Sequence, residues 1–477
     1  MKSRDPRWVL LYALCLAELM IVLDVTIVNV ALPSIQTDLG FSETALVWVV
    51  NAYMLTFGGF LLLGGRLGDL YGQRRVFLWG LVAFTVASTL CGLAASQATL
   101  VLARALQGLG GAVTSAIALS LIMNVFTEPA EKAKAMGVYG FVCAGGGSVG
   151  VLLGGVLVSQ MSWHWIFLVN LPIGILVWLW CAKLLPQAAA NTAPVARLDV
   201  WGALAITSSL MLIVYAIVNG NIVGWTAQQT LWQLALAIAL LVAFLKWEAR
   251  LERHGAQRSN TQPLMPPSLF RSRSLTLVNI IAVLWAAAMF AWFFMSALYM
   301  QLVLHYSAMQ VGLAFLPANL IMAVLSLGWS DKLVIRFGNQ RPLAAGLLTA
   351  ACGLALFALA PVNGEFVWHV LPSMVLIGLG GGIAFNPMLL IAMNDVKESD
   401  SGLASGLVNT SFMMGGALGL AVLASSAAAR TQSLQATGAL ALQALKGGYQ
   451  FAFLLGAACA GTAACLIVWI PKEQTHD

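Results

Sequence analysis

The sequence predicts an all-α polytopic membrane protein in which fourteen helices cross the bilayer. Hydrophobic residues make up 60% of the 477 residues and charged residues only 9%, whereas a soluble domain carries about 25% charged residues. Long apolar runs, such as LWQLALAIALLVAFL at 231–245, approach the ~20 residues that a helix needs to span the hydrocarbon core. The loops between these runs hold the basic residues very unevenly, as loops on opposite sides of a membrane do.

The composition also excludes several other classes of protein. Transmembrane strands would show alternating segments of about ten residues, so a β-barrel is not favoured. The 45 glycines fit helix packing in lipid, where small residues let backbones approach. Basic loops explain the net charge of +6, and no nucleic-acid partner is expected. The seven cysteines lie in apolar segments without metal-ligand spacing, so we expect neither a metal nor a cofactor.

The candidate spans follow one another from the first residues onward. The apolar stretch after the basic segment KSRDPR runs to about Leu32 without a clear cleavage site, so we interpret it as a retained span rather than a signal peptide. The predicted spans are residues 8–32, 44–64, 76–95, 99–123, 135–159, 164–184, 200–219, 230–247, 275–301, 309–330, 342–361, 368–394, 401–428 and 448–470.

The basic residues orient these spans. Of the 24 Lys and Arg residues, 21 fall in the tails and in loops on the N-terminal side, while only Arg430 and Lys446 fall on the other side. Arg104 falls inside a span. Because cytoplasmic loops carry the excess of basic residues, both termini are predicted to be cytoplasmic.

Two polar breaks, at 186–198 and 248–274, and a weak internal repeat suggest the domain organisation. The segment GGRLGDLYGQRR at 64–75 has a counterpart, GWSDKLVIRFGNQRP, at 328–342, and repeated halves are common in transporters. The prediction is an N-terminal six-helix bundle at 1–185, a linker with two inserted helices at 186–247, a cytoplasmic loop at 248–274, and a C-terminal six-helix bundle with a tail at 275–477.

Two acidic residues, Glu18 and Asp24, lie deep in the first predicted span. A charge at the bilayer centre costs roughly 2.5–3.5 kcal/mol, so either carboxylate is a candidate for binding a proton or a cationic substrate. The alternative is a packing residue paired with Arg104 and otherwise idle. Glu18 lies roughly 240° around the helix from Asp24, so the two carboxylates need not share one cavity.

Arg104, in LVLARALQGLGGA at 100–112, is the only basic residue placed inside a span. An arginine cannot release its charge, so it needs a carboxylate, a carbonyl or water as a partner. Near Asp24 it would hold that carboxylate ionised and take part in proton coupling. Alternatively, it ties loops together at the membrane edge.

Two further motifs concern how helices meet. The stretch CAGGGSVGVLLGG at 143–155 provides small residues for close helix contact, either as plain packing or as a seal against proton leak. The loop at 64–75 is either a gate whose contacts change between states or a tight basic loop. The helix-packing residues are Gly146, Gly150, Gly154 and Gly155, and the gating-loop residues are Gly65, Asp69, Gly72, Arg74 and Arg75.

Taken together, these motifs resemble the fourteen-span drug:proton antiporter branch of the major facilitator superfamily, over nearly the whole chain. The resemblance rests on LDVTIVNVALP (23–33), the loop at 64–75, the segment 100–112, the glycine stretch at 143–155, WHWIFLVNLPIG (163–174), LYMQLVLHYSAMQVGLAFLP (298–317) and SGLASGLVN (401–409).

The resemblance implies a major facilitator fold of two six-helix bundles with two additional helices, in a bacterial cytoplasmic (inner) membrane. It implies that Asp24 handles protons and cations, that Arg104 takes part in proton coupling, and that the 64–75 loop acts as a gate. The chain departs from the branch at Val151, where the motif has proline, and at Leu70 and Gln73 in the loop.

The expected function is proton-coupled export of lipophilic, cationic drugs or toxic compounds by alternating access, by a chain functional as a monomer. The alternatives are an exporter of one metabolite, amino acid or siderophore, and a non-transporting receptor or scaffold. No catalytic constellation or ATP-binding G-x-x-x-x-G-K-[ST] motif occurs, so an enzyme is not expected. Candidate cavity residues, whose aromatic members can hold a cation, are Asn29, Tyr53, Trp285, Trp292, Phe293, Tyr299, Asn319, Asn386 and Asn409.

Overall fold

A computed structural model describes residues 6–185, 198–258, 263–394 and 401–471. The described residues form α-helices joined by short turns, and no strand occurs among them. The helices are α1 (Pro6–Leu39), α2 (Val47–Tyr71), α3 (Gln73–Gly92), α4 (Gln97–Val125), α5 (Pro129–Gln160), α6 (Trp165–Leu168), α7 (Asn170–Leu184), α8 (Val200–Val223), α9 (Gln228–Arg258), α10 (Arg273–Leu298), α11 (Ala308–Val324), α12 (Ser330–Phe337), α13 (Gln340–Ala358), α14 (Leu371–Asn394), α15 (Ser401–Ala436) and α16 (Ala441–Leu466).

The all-α polytopic class is confirmed. Within the described ranges, thirteen helical segments are long and apolar enough to cross a membrane. The remaining predicted span corresponds to α11, a shorter apolar helix that a π-helical turn at Leu325–Trp329 extends. Every predicted span therefore coincides with a helix. The span predicted at 164–184 is formed by α6 and α7 together, with only Val169 between them.

Two helices run further than the sequence suggested. Most of the predicted loop at 64–75 is helical, because α2 continues to Tyr71 and α3 begins at Gln73. Gly72 alone makes the turn, with a φ of 89°, in the region that favours glycine. Similarly, α9 continues to Arg258 and so carries acidic residues that hydropathy places in a loop.

The helices pack as two bundles with an inserted pair at the seam between them. Helices α1–α7 pack on one another and form the first bundle, and α10–α16 form the second. The main contacts between the bundles are those of α5 with α11 and of α2 with α15, and α1 also contacts α10 and α11. The inserted helix α8 packs on its partner α9 and on both α2 and α15, so it covers the α2–α15 side of the seam.

Candidate functional site

Asp24 and Arg104 form an ion pair inside the first bundle. Asp24 lies on α1 with its side chain fully buried, and Arg104 lies on α4 with 1% of its side chain exposed. Arg104 Nη1 donates to Asp24 Oδ2. The two charged residues that the sequence placed in different spans are therefore direct partners.

Two amide side chains complete the environment of the Asp24 carboxylate. Gln107 Nε2 donates to Oδ1 at 2.6 Å, and Asn170 Nδ2 donates to the same oxygen at 3.2 Å. Asn170 also donates to Ser88 Oγ at 2.9 Å. All three residues are almost completely buried. A buried charge is tolerated when it is paired and hydrogen-bonded, so this set of donors stabilises the ionised form of Asp24.

The guanidinium of Arg104 is equally well supplied with partners. Its Nε donates to the carbonyl of Val49 at 2.9 Å, and Nη1 also donates to Gln107 Oε1 at 2.8 Å. Its Cζ lies 4.4 Å from the centroid of the Tyr53 ring, which adds a cation–π contact. Residues from α1, α2, α4 and α7 thus meet at one buried polar centre.

Glu18 lies outside this centre and has fewer partners. Its Oε1 accepts a hydrogen bond from Ser115 Oγ at 3.0 Å. Its Oε2 is buried and has no partner among the described residues, although 6% of the residue is exposed. Burying an oxygen of an ionised carboxylate without a hydrogen-bond donor costs free energy. A proton or a bound cation at that oxygen removes this cost. Asp24 has three nitrogen donors from side chains, whereas among the described residues Glu18 has only two hydroxyl neighbours, Ser115 and Tyr139.

The glycines of α5 allow a very close approach to α1. A Cβ at Gly150 would lie 2.2 Å from Thr26 Oγ1, and one at Gly154 would lie 2.8 Å from Ile27 Cγ1. Gly146 contacts Val22 of α1 in the same way. These three glycines therefore form one packing ridge.

Gly155 faces a different helix and belongs to the seam between the bundles. A Cβ there would lie 3.0 Å from the carbonyl of Ala308 at the start of α11. The contact is reciprocal, since a Cβ at Gly312 of α11 would lie 2.9 Å from the carbonyl of Val151. The glycine stretch thus packs α5 on α1 with one face and on α11 with the other.

The residues of the predicted gating loop are spread over the junction of α2 and α3. Arg74 Nη2 donates to the carbonyl of Ala182 near the end of α7 at 2.6 Å, while Arg75 is exposed. Gly65 lies within α2 with open space where a Cβ would be. The backbone of Asp69 is helical, but its side chain lies outside the described part of the structure.

The predicted cavity residues do not form one cluster. Trp292 packs edge-on against Phe315, and Phe293 stacks on the same ring, each with centroids 5.5 Å apart. Tyr299 donates to the carbonyl of Pro361 at 2.7 Å. These three contacts lie within the second bundle and describe core packing. Trp285 is also buried in that bundle, and Asn386 and Asn409 are half-buried.

Two asparagines of the predicted cavity lie outside this packed region. Asn29 donates to the carbonyls of Val25 and Thr26 in its own helix, both at 3.3 Å. The Oδ1 of Asn319 lies 3.9 Å from the Cβ position of Gly147 on α5, so this side chain faces the seam. Its Nδ2 is buried without a partner among the described residues.

Sequence reasoning missed several polar residues that the structure shows to be central. Gln107 and Asn170 complete the Asp24 site, and both lie in stretches recognised only as motifs. Asn51 Nδ2 of α2 donates to the carbonyl of Ala417 of α15 at 2.9 Å, and Gln301 Nε2 donates to the carbonyl of Val30 of α1 at 3.1 Å. The last two cross between the bundles, and uncharged amides in apolar spans were the available signal.

Comparison with known proteins shows which family this chain resembles. The model of the Major Facilitator Superfamily matches residues 14–233 and 188–420. The puromycin resistance protein of Streptomyces alboniger is 40% identical over 422 residues, covering 88% of this chain and 82% of that protein. The cephamycin export protein of Amycolatopsis lactamdurans is 38% identical over 410 residues, covering 86% and 82%. The multidrug resistance protein Stp of Mycobacterium tuberculosis is 36% identical over 429 residues, covering 88% and 75%.

A solved structure shares the fold at much lower identity. A bacterial homologue of the human lysosomal transporter Spinster, in an inward-facing and occupied conformation, matches with a TM-score of 0.69 at 15% identity, covering 98% of this chain and 97% of that one. The family match and the curated relatives define a multi-pass membrane transporter, not an enzyme. The chain belongs to the Major Facilitator Superfamily, and its relatives place it in the drug-efflux branch.

Proposed function

We propose that this protein exports lipophilic, cationic small molecules across a bacterial cytoplasmic (inner) membrane in exchange for protons, with both termini in the cytoplasm and the monomer as the functional unit. Relatives named for puromycin resistance and cephamycin export support efflux as the direction of transport. Inward movement of protons supplies the energy, of which the membrane potential contributes about 2.3 kcal/mol per charge per 100 mV.

The observation that carries the proposal is the unequal treatment of the two carboxylates of α1. Asp24 receives hydrogen bonds from three side chains, whereas Glu18 Oε2 receives none among the described residues. Binding of a proton or a cationic substrate therefore stabilises Glu18 more than it stabilises Asp24. In this scheme proton and substrate compete for Glu18, and binding of one releases the other.

Asp24 and Arg104 then couple this event to the movement of helices. Their site joins α1, α2, α4 and α7, so a change in its hydrogen bonds acts on all four helices. A proton reaches Asp24 only in a state where the donors around it separate. The candidate cavity residue Tyr53 packs on Arg104, so this rearrangement would also change the contact between them.

The seam between the bundles is where alternating access takes place. Asn319 faces it with an unused amide N–H, which suits a polar group on a substrate. The contacts Asn51–Ala417 and Gln301–Val30 hold the bundles together in this state and must break when the seam opens. The turn at Gly72 is the proposed gate at the cytoplasmic end of α2.

Transport by purified protein in vesicles tests the proposal. An imposed pH gradient is expected to drive uphill accumulation of a lipophilic cation, and Glu18→Gln and Asp24→Asn are each expected to abolish it. Glu131→Gln is the matched control, because Glu131 pairs with Arg7 at 3.0 Å with 35% of its side chain exposed. Uphill transport by both α1 variants at the wild-type rate would refute the proton sites.

The same vesicles distinguish a broad exporter from a dedicated one. Two relatives are named for single compounds, puromycin and cephamycin, which favours a narrow substrate range as the second candidate. A panel of lipophilic cations, neutral drugs and these two antibiotics is expected to show transport of several cations. Transport of one compound alone would favour the dedicated exporter, and transport of none would favour a receptor or scaffold.

A further inference from the structure

A second pair of buried carboxyl groups lies far along the chain from α1, at the base of the inserted helices. Asp199 precedes α8 and is 2% exposed, and Glu248 lies near the end of α9 and is 1% exposed. Hydropathy gives no hint of this site, because both residues fall at the margins of apolar runs. The fold brings them together by packing α8 against α9.

One oxygen of each carboxyl group is used in holding the local structure. Asp199 Oδ1 caps α8 by accepting from the amide of Gly202 at 3.0 Å, and it also accepts from Trp247 Nε1 at 2.9 Å. Glu248 Oε2 accepts from the amide of Met265 at 3.0 Å. Met265 belongs to the segment 263–272, here called the strap, which connects the inserted pair to α10.

The other two oxygens face each other without a donor. Asp199 Oδ2 and Glu248 Oε1 are buried and have no hydrogen-bond partner among the described residues. A Cβ on Gly202 would lie 2.1 Å from the first and 3.0 Å from the second, so both oxygens border the same small space. Both oxygens are acceptors when the carboxyl groups are ionised, so they can bond to each other only if one of them carries a proton.

Among the side chains that the structure describes, none donates a hydrogen bond to either orphaned oxygen. The basic and acidic residues whose side chains are described on the elements packed here are Arg66 on α2, Lys246, Arg250, Glu252 and Arg253 on α9, and Arg271 in the strap. Within the described ranges none of them donates to Asp199 Oδ2 or Glu248 Oε1. Two desolvated carboxylates that border the same small space cannot both be ionised at low cost.

We propose that Asp199 and Glu248 form a proton-binding site that fastens the strap to the inserted helices and to α2. The shared proton bridges the two orphaned oxygens and keeps Glu248 in place to hold the amide of Met265. Next to that amide, Leu264 packs with Leu63 of α2 and Ala203 of α8 in a separate apolar cluster. Loss of the proton forces the carboxylates apart and loosens the strap at the cytoplasmic end of α2.

Hydrogen exchange of the strap, followed by mass spectrometry on the full chain in lipid nanodiscs, tests this site. After correction for intrinsic exchange, wild-type protection of 263–272 is expected to fall as the pH is raised from mildly acidic to mildly alkaline. Glu248→Gln supplies an N–H where the proton would be and is expected to stay protected across that range. Glu252→Gln is the matched control, because exposed Glu252 also accepts a strap amide, that of Ser268 at 3.1 Å, and it should keep the wild-type pH dependence.

Three outcomes would overturn the proposal. The first is strap protection in the wild type that does not change with pH. The second is a pH dependence that Glu248→Gln leaves intact. Repeating the measurement in sodium and in potassium salts identifies a bound metal cation instead of a proton, which would also overturn it. Infrared spectroscopy gives an independent readout, since the C=O band of a protonated carboxyl group should be lost on Glu248→Gln in a Glu18→Gln background. Neither measurement depends on transport.

Discussion

Replacing Arg104 with lysine keeps the charge beside Asp24 but removes the shape of the guanidinium. The structure gives Arg104 three hydrogen bonds, to the Val49 carbonyl, to Asp24 and to Gln107, besides the stack on Tyr53. A single ammonium group on a flexible stem cannot reproduce the Nε bond and the stack while it also reaches Asp24. Arg104→Lys therefore tests whether the buried centre depends on geometry or on charge alone.

The expected loss follows from these contacts. One hydrogen bond from a charged group contributes about 1.5–3 kcal/mol, and the cation–π contact contributes about 0.5–2 kcal/mol. Together they predict a destabilisation of about 2–5 kcal/mol, which corresponds to a fall in the melting temperature of about 4–20 °C for a unit the size of the first bundle. Thermal unfolding of the purified protein in detergent, with and without Arg104→Lys, measures it.

The control is Arg7→Lys, because Arg7 forms an exposed ion pair with Glu131. Surface pairs contribute about 0–1 kcal/mol, so this variant should melt close to the wild type. Equal shifts for Arg104→Lys and Arg7→Lys would refute the reasoning, since the buried centre would then be no more demanding than a surface contact.

Three other substitutions test separate parts of the structure. Gly150→Ala should lower the melting temperature through ~1–3 kcal/mol of overpacking against Thr26, whereas Gly140→Ala, with open space around it, should not. Gly72→Ala places a side chain at a φ of 89° and should cost about 1–2 kcal/mol in thermal stability, and an unchanged melting curve would contradict that turn. Asn51→Ala removes a hydrogen bond between the bundles, so it should speed access of a thiol reagent to cysteines introduced at the seam, and unchanged labelling would show that the bond does not hold the seam closed.

The sequence predicts the fold because hydropathy and the positive-inside asymmetry depend on composition over whole segments. Each predicted span coincides with a helix for that reason. Helix ends are less predictable, because a helix can continue through polar residues at the membrane surface, where the hydropathy signal has already ended. Thus α2 runs on to Tyr71 and α9 to Arg258, past the predicted end of each span.

The site was predictable where a charge made it conspicuous. Asp24 and Arg104 stand out as ionisable residues in apolar spans, and the structure pairs them. Gln107 and Asn170 do not stand out, because uncharged amides in a span are common and only the packing of α1, α4 and α7 brings them to one oxygen. Asp199 and Glu248 lie at span margins, where acidic residues are usually solvated, so their burial depends on tertiary packing alone.

In the proposed mechanism, the carboxyl groups of α1 exchange protons for substrate. This exchange can be measured in vesicles that contain the purified protein and a trapped pH dye. The membrane potential is held at zero, and an outward gradient of a transported lipophilic cation is imposed. Protons are expected to move against the cation in the wild type, and Glu18→Gln is expected to carry no proton current. Cation flux through the wild-type protein without any proton movement would contradict this mechanism.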